Sequence, residues 1–226
     1  MPRDDRPLSI AVGEGTVSAL WSAPARPKAV VTLAHGAGAG MTHRFLAAVA
    51  AGLKERDIAT LRFNFPYMEA GRSGVDPPAR AAATVRAAAT TAANLRPALP
   101  IFAGGKSFGG RMTSTAASEA PLDGVVGLFF LGFPLHAPGK PSKERAAHLA
   151  SVTVPMLFLQ GTRDDFAQLE LLKPVVKKLG ARAKLVLFDD ADHSFHVPKA
   201  SGRTDAEIFD AMIDALEAWI VRLLPG

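Results

Sequence analysis

Short apolar runs alternate along the chain with segments of helical periodicity. The strand-like runs cover residues 8–12, 16–22, 29–34, 58–63, 100–104, 125–131, 154–160 and 184–188. The later runs are continuously apolar, as is typical of parallel strands covered on both faces. The first two are separated only by a glycine-containing turn, which favours an antiparallel hairpin. The pattern therefore predicts an α/β fold with a mainly parallel sheet of about eight strands, an antiparallel N-terminal hairpin and helices on both faces.

Three longer segments have the periodicity of amphipathic or closely packed helices. Residues 42–56 and 204–223 repeat apolar side chains at helical spacing, and 79–96 is rich in alanine. Thr204 and Glu207 have the spacing of a capping box at the start of the last helix. We expect helices to fill the stretches between the later strands and to connect successive parallel strands.

The length of the chain bounds its organisation. At 226 residues it suits one α/β domain, and we expect a single domain over residues 1–226. The longest irregular stretch, residues 66–78, contains several glycines and prolines. We expect it to form a surface loop beside the carboxyl edge of the sheet.

Charge and hydropathy limit the partners of the protein. The formal net charge is +5, but the basic residues are scattered and the densest group is only Lys177-Lys178, so no nucleic-acid partner is expected. The longest apolar stretch, residues 125–134, is far too short to span a membrane. The N-terminal residues do not have the pattern of a secretory signal, which predicts a cytoplasmic location. The chain has no cysteine, so serine must carry any covalent chemistry.

One serine lies in a pattern that favours nucleophilic chemistry. Ser107 occupies the centre of Gly105-x-Ser107-x-Gly109, directly behind the apolar run that ends near residue 104. A nucleophile elbow requires an abrupt strand end and small neighbours, because a Cβ atom beside the serine would collide with crossing backbone. Ser107 is therefore the predicted nucleophile.

A serine nucleophile requires an acid and a histidine from neighbouring loops. The strand at 154–160 leads into Asp164, which is the preferred acid, with Asp165 as the alternative. The following strand leads into His193, the predicted base. His196 is the rival base, but it follows an apolar residue that should turn inward.

Stabilising the oxyanion requires preorganised N–H donors. The amide of Phe108 is one predicted donor because it directly follows the nucleophile. The second is the amide of Ala37, in the glycine-rich loop 34–40 after the third strand. His35 in the same loop is predicted to hold the loop and not to act in catalysis.

Two motifs for phosphate-bearing ligands are each present only in part, because a required glycine is missing. A P-loop ending at Ser107 would need glycine at position 100, where Pro100 stands. A dinucleotide fingerprint starting at Gly36 would need glycine at position 41, where Met41 stands. We therefore expect no cofactor, and the sequence offers no metal-ligand motif.

Several motifs together resemble the α/β-hydrolase superfamily. They are the elbow at Ser107, the loop His35-Gly36, the turn Gly161-x-x-Asp164 and the sequence Asp192-His193-Ser194-Phe195. Within it, Leu33 to Ala39, Arg62 to Tyr67 and Gly104 to Ser107 are similar to small predicted hydrolases allied to the dienelactone hydrolases, although the latter use cysteine where Ser107 stands.

The resemblance implies the α/β-hydrolase fold and cofactor-free hydrolysis of a carboxylic ester, lactone or thioester. It also implies the absence of a cap domain, because only about twenty residues, 132–152, lie where capped relatives insert one. The leading hypothesis is a serine hydrolase acting on a small-molecule acyl substrate. The alternative is a non-catalytic scaffold that retains the fold. The oligomeric state is left open.

A weaker hypothesis concerns substrate charge. Four basic residues, Arg62, Arg72, Lys106 and Arg163, are expected near the predicted catalytic edge. Such a set would favour an anionic acyl substrate, whereas a solvated basic rim would have no such effect.

Overall fold

The computed structural model describes residues 5–225. Its eight strands form one mixed sheet in the order β1-β2-β4-β3-β5-β6-β7-β8. The strands are β1 (Arg6–Val12), β2 (Gly15–Ser22), β3 (Ala29–Ala34), β4 (Ile58–Phe63), β5 (Ile101–Lys106), β6 (Val125–Leu131), β7 (Met156–Gly161) and β8 (Ala183–Phe188). All eight predicted strands are confirmed, with ends that differ by at most two residues.

The sheet changes direction at its N-terminal side. Strands β1 and β2 form an antiparallel hairpin, with Val12 paired to Gly15, and β2 also pairs antiparallel with β4. All other neighbours pair in parallel. The carboxyl ends of β3, β5, β7 and β8 therefore lie along one edge, where the loops of a parallel sheet hold functional side chains.

In the part of the chain that the structure describes, six α-helices connect and cover the strands. They are α1 (Arg44–Lys54), α2 (Pro66–Glu69), α3 (Pro78–Leu95), α4 (Phe108–Glu119), α5 (Leu169–Leu179) and α6 (Asp205–Arg222). Helices α1 and α6 bury their apolar residues on one face of the sheet, and α3, α4 and α5 bury theirs on the other. The predicted helices on both faces are confirmed, as is the capping box of Thr204 and Glu207 at the start of α6.

The prediction of a surface loop over residues 66–78 is confirmed for residues 70–75, which are exposed and irregular, and is wrong for Tyr67 and Asp76. Pro66 starts the short helix α2, Tyr67 is fully buried and Asp76 is 2% exposed. The reason is a polar network: the carboxylate of Asp76 accepts the Tyr67 N–H at 2.9 Å and binds the Arg72 guanidinium at 2.8 Å. A carboxylate with these donors can be buried, so Asp76 and Tyr67 lie in the interior while the residues between them stay at the surface.

The connection from β6 to β7 carries no inserted domain. Residues 132–155 contain one 3₁₀ helix, Glu144–Ser151, and otherwise turns and extended chain. The prediction that there is no cap domain is confirmed. Among the residues that the structure describes, no helix is both long and apolar enough to cross a membrane.

Candidate active site

Ser107 lies in a strained turn between β5 and α4, with φ 50° and ψ −115°. A non-glycine residue in this region costs conformational energy, and such strain is common at functional sites. The flanking glycines allow the turn. A Cβ atom at Gly105 would lie 2.2 Å from the Ala34 carbonyl oxygen, and one at Gly109 would lie 2.6 Å from the carbonyl oxygens of Ala34 and His35. Only glycine fits at either position.

The structure brings the predicted serine, acid and histidine together. His193 Nε2 lies 2.8 Å from Ser107 Oγ, and His193 Nδ1 lies 2.7 Å from Asp164 Oδ2. The carboxylate can only accept, so Nδ1 carries the proton and Nε2 is free to accept from the serine hydroxyl. This arrangement lets the imidazole take the serine proton while Asp164 stabilises the resulting charge.

Asp164 is held by three donors on the buried side of its loop. It is 4% exposed. Besides His193, Oδ2 accepts from Gln160 Nε2, and Oδ1 accepts the Phe166 N–H at 2.8 Å. Gln160 itself is fixed because its Oε1 accepts the Phe133 N–H at 2.9 Å. Asp165, the alternative acid, is exposed.

The imidazole of His193 is packed as well as hydrogen-bonded. The Phe166 ring stacks on it with a centroid distance of 4.3 Å and an interplanar angle of 28°. The same residue that donates its N–H to Asp164 thus also covers the histidine. These contacts limit the rotation of the imidazole ring and keep its Nε2 directed toward Ser107.

The rival base, His196, lies apart from Ser107. Its Nδ1 is 2.8 Å from Asp205 at the start of α6, and its side chain is 63% exposed. The hydrogen bond to Asp205 raises the pKa of His196. Phe195 is buried, with φ 64°, which separates the direction of His196 from that of His193.

The two predicted oxyanion donors flank the serine. Phe108 is the first residue of α4, and Ala37 lines the same cavity as Ser107. Among the described residues, no backbone hydrogen bond from the amide of Ala37 or Phe108 is found. Both N–H groups are therefore available to a ligand oxygen.

The loop that carries Ala37 is fixed by side chains from the segment after β4. The Gly38 N–H donates to the Tyr67 hydroxyl at 2.9 Å, and the Met41 N–H donates to Asn64 Oδ1 at 2.7 Å. Neutral amide and phenol groups thus hold the loop without placing a charge beside the predicted oxyanion site. Preorganised donors of this kind need little reorganisation when negative charge develops.

His35 fixes the beginning of that loop. Its Nδ1 lies 2.7 Å from the Gly36 carbonyl oxygen, and its Nε2 accepts the Phe65 N–H at 3.1 Å. These partners require the neutral tautomer with the proton on Nδ1. Burial lowers the pKa of His35, which favours the same neutral form.

A cavity of about 440 Å³ opens beside Ser107. Its walls come from the loop after β3, the start of α1 and the His193 loop: Gly36, Ala37, Ala39, His43, Arg44, Phe45, Leu46, Lys106, Ser107, Phe166, His193 and Ser194. This size accommodates a small molecule.

The expectation that four basic residues lie near the catalytic edge is wrong in part. Of these, only Lys106 lines the cavity. Arg62 is 1% exposed and is paired with Asp5, and Arg72 binds Asp76. Arg163 lines a separate pocket beyond Asp164. The described residues contain no cluster of three or more histidine or acidic side chains that could hold a metal ion.

The sequence profile of the alpha/beta hydrolase domain family matches residues 27–221. The chain belongs to this family. Family membership supports hydrolase activity, and the predicted resemblance to the superfamily is confirmed.

Solved structures of similar fold cover nearly the whole hydrolase domain. A dienelactone hydrolase from Anabaena variabilis is 21% identical with a TM-score of 0.80, over 98% of this chain and 99% of that one. A lidless serine hydrolase from Xanthomonas campestris is 21% identical with a TM-score of 0.76, over 100% and 98%. A serine hydrolase homologue from Coxiella burnetii is 20% identical with a TM-score of 0.77, over 96% and 99%. At these identities the likeness concerns the fold.

Three residues that shape the site of this hydrolase domain were missed by the sequence reasoning. They are Tyr67, Gln160 and Phe166. Gln160 carried a signal, because it is a polar residue near the end of the otherwise apolar strand β7 and is fully buried. Tyr67 and Phe166 have no comparable signal, since their roles depend on contacts made by the folded loops.

Proposed function

We propose that the protein is a serine hydrolase that cleaves a carboxylic ester, lactone or thioester through an acyl-enzyme on Ser107. The observation that carries the proposal is the chain of two hydrogen bonds, 2.8 Å from Ser107 to His193 and 2.7 Å from His193 to Asp164. This chain lies at a cavity of about 440 Å³. Membership of the alpha/beta hydrolase domain family supports the same reaction type.

In the acylation step Ser107 Oγ attacks the carbonyl carbon of the substrate. The hydroxyl proton passes to His193 Nε2, and Asp164 stabilises the imidazolium through its bond to Nδ1. The bond from the carbonyl carbon to the leaving oxygen or sulfur then breaks. The leaving group takes the proton from Nε2, and the acyl group remains on Ser107.

In the deacylation step a water molecule attacks the acyl carbon. His193 Nε2 accepts a proton from the water and returns it to Ser107 Oγ as the ester bond to the serine breaks. The carboxylic acid leaves. Every proton transfer in this scheme is made by Ser107, His193, the substrate or water.

Negative charge on the carbonyl oxygen is received by the amides of Ala37 and Phe108. Loss of one such donor typically lowers catalysis by about 10²–10³-fold, so these two amides account for a large share of the barrier lowering. The loop of Ala37 is fixed by Tyr67 and His35 before substrate binds. The proposed site is therefore preorganised.

The acyl-enzyme is tested directly with an activated ester such as 4-nitrophenyl acetate. Rapid mixing should give a burst of nitrophenolate equal to the enzyme concentration, and intact mass should show one acetyl group on the protein. Ser107→Ala should give neither. Steady release without a burst or an acyl adduct, unchanged in Ser107→Ala, would contradict the proposal.

A further inference from the structure

Lys106 joins the strand that carries the nucleophile to the loop that carries the base. It is the last residue of β5, immediately before Ser107. Its amine donates a hydrogen bond to the backbone carbonyl oxygen of His193. The same amine lies 5.6 Å from the centroid of the buried Phe195 ring, within the range of a cation–π contact.

The end of β6 leaves room for this contact. A Cβ atom at Gly132 would lie 3.0 Å from Lys106 Nζ and 3.3 Å from His193 Nδ1. Gly132 also has φ 73°, a conformation that L side chains rarely adopt. The space that glycine leaves is thus occupied by the lysine amine and the imidazole together.

The surroundings of the amine are partly acidic but contain no direct ion pair. Among the described residues, no carboxylate oxygen lies within 4.0 Å of Nζ, the limit for a salt bridge, although Asp164 and Asp192 attract the charge from a greater distance. Burial lowers the pKa of Lys106 to about 8. A partly buried ammonium is costly unless it is hydrogen-bonded, and the carbonyl oxygen of His193 accepts such a bond.

We propose that Lys106 is a positioning residue that sets the approach of His193 to Ser107 through the backbone of the histidine. The inference rests on the proposed function and deepens it. Because Lys106 and Ser107 are adjacent in sequence, the hydrogen bond ties the base loop to the nucleophile turn itself. Any displacement of one is transmitted to the other. Geometry at this level matters, since a misplacement of about 1 Å can cost about 100-fold in rate.

The test separates binding from chemistry with a neutral alkyl fluorophosphonate, which reacts with an activated serine. The inactivation rate constant kinact and the half-saturation constant KI are measured for the wild type, Lys106→Met and Lys106→Gln. Methionine keeps the aliphatic stem and removes the donor, and glutamine keeps an N–H donor without the charge. Lys177→Met, at an exposed lysine of α5, is the matched control.

We expect kinact of Lys106→Met to fall about 10- to 100-fold while KI changes by less than about twofold. The kinact of Lys106→Gln should fall less, because the glutamine amide can still donate toward the carbonyl oxygen of His193. The control should match the wild type.

The pH profile gives a readout that a purely structural role would not move. Charged or titratable groups around the amine are Asp164 after β7, Asp192 and His193 after β8, and, at the cavity rim, His43 and Arg44. Removing the positive charge of Lys106 changes the electrostatic field at the site. The pH profile of kinact should therefore differ from that of the wild type in both Lys106 variants and not in the control.

Two results would overturn the proposal. One is a kinact and a pH profile equal to those of the wild type in either folded Lys106 variant. The other is a raised KI with unchanged kinact, which would assign Lys106 to ligand binding. If Lys106→Met does not fold, Lys106→Gln decides alone. A wild type that does not react at all instead contradicts the proposed function and is recognised before any variant is compared.

Discussion

The backbone N–H of Gly38 donates a 2.9 Å hydrogen bond to the phenolic oxygen of Tyr67. Tyr67 is fully buried, and its own N–H is held by Asp76 at 2.9 Å. The segment after β4 is therefore connected through one hydroxyl group to the loop that carries the proposed oxyanion donor Ala37. A residue about thirty positions away in sequence thus fixes the geometry of the loop.

Tyr67→Phe tests this connection. The substitution keeps the ring and leaves the Gly38 N–H without its acceptor, so we expect a loss of about 1–3 kcal/mol in the free energy of unfolding. Because the loop around Ala37 loses its anchor, the acylation rate constant should also fall, by about tenfold. Urea unfolding and the pre-steady-state burst measure the two effects. An unchanged acylation rate in a destabilised protein would separate Tyr67 from the site.

The glycine before the elbow is required by close backbone contact. A Cβ atom at Gly105 would lie 2.2 Å from the Ala34 carbonyl oxygen. This oxygen belongs to the backbone of β3, so it cannot move aside as a flexible side chain could. Gly105→Ala should therefore destabilise the protein by more than about 3 kcal/mol. Gly74→Ala is the matched control, since no atom lies within 4 Å of a Cβ there. Thermal unfolding of the two variants should differ sharply, and equal melting temperatures would refute the packing argument.

Gln160 supports both the acid and the chain beyond β6. Gln160→Met, of similar length, would remove the acceptor of the Phe133 N–H and one donor to Asp164. We expect a loss of about 1–3 kcal/mol from the buried Phe133 N–H alone, together with slower acylation. Gln168→Met, at an exposed glutamine, should change neither quantity. Chemical denaturation and burst kinetics on the same samples make the comparison.

The ion pair of His196 with Asp205 makes stability depend on pH. The hydrogen bond between them raises the pKa of His196 and lowers that of Asp205. The histidine contribution is fully present below its ordinary value of 6.5 and is lost as pH rises through the raised pKa. The aspartate contribution is present above its ordinary value of 3.8 and is lost as pH falls through the lowered pKa.

The variant His196→Gln should accordingly melt below the wild type at a pH of about 5.5, and the gap should shrink at a pH of about 9. The pair is exposed, so added salt should also reduce the gap. Reaction with a fluorophosphonate should persist in His196→Gln because this histidine lies apart from Ser107. A difference in melting temperature that grows with pH would contradict the assigned ion pair.

Most of the fold was predictable because its strands are local apolar runs. The largely apolar runs at β3 and β6 have the predicted bounds, because both faces of a central parallel strand are covered. The burial of Tyr67 and Asp76 was not predictable in this way. The glycines and prolines of residues 66–78 indicate the loop that forms, whereas the burial of Asp76 depends on hydrogen bonds from Tyr67 and Arg72.

The same distinction applies to the residues of the candidate site. Ser107, Asp164 and His193 follow strands whose carboxyl ends share an edge, so their juxtaposition could be anticipated from strand order alone. Arg62 could not be excluded from that edge by sequence, because its burial depends on pairing with Asp5 across the fold. Phe166 was missed for a related reason: its stacking on His193 arises only when two loops meet.

The central claim is that Ser107 is activated by His193, and intact-mass analysis after treatment with a fluorophosphonate tests it most directly. The account predicts one adduct on the wild type, none on Ser107→Ala and a greatly slowed reaction of His193→Ala. Absence of an adduct on folded wild-type protein would contradict it and favour a non-catalytic role for the fold.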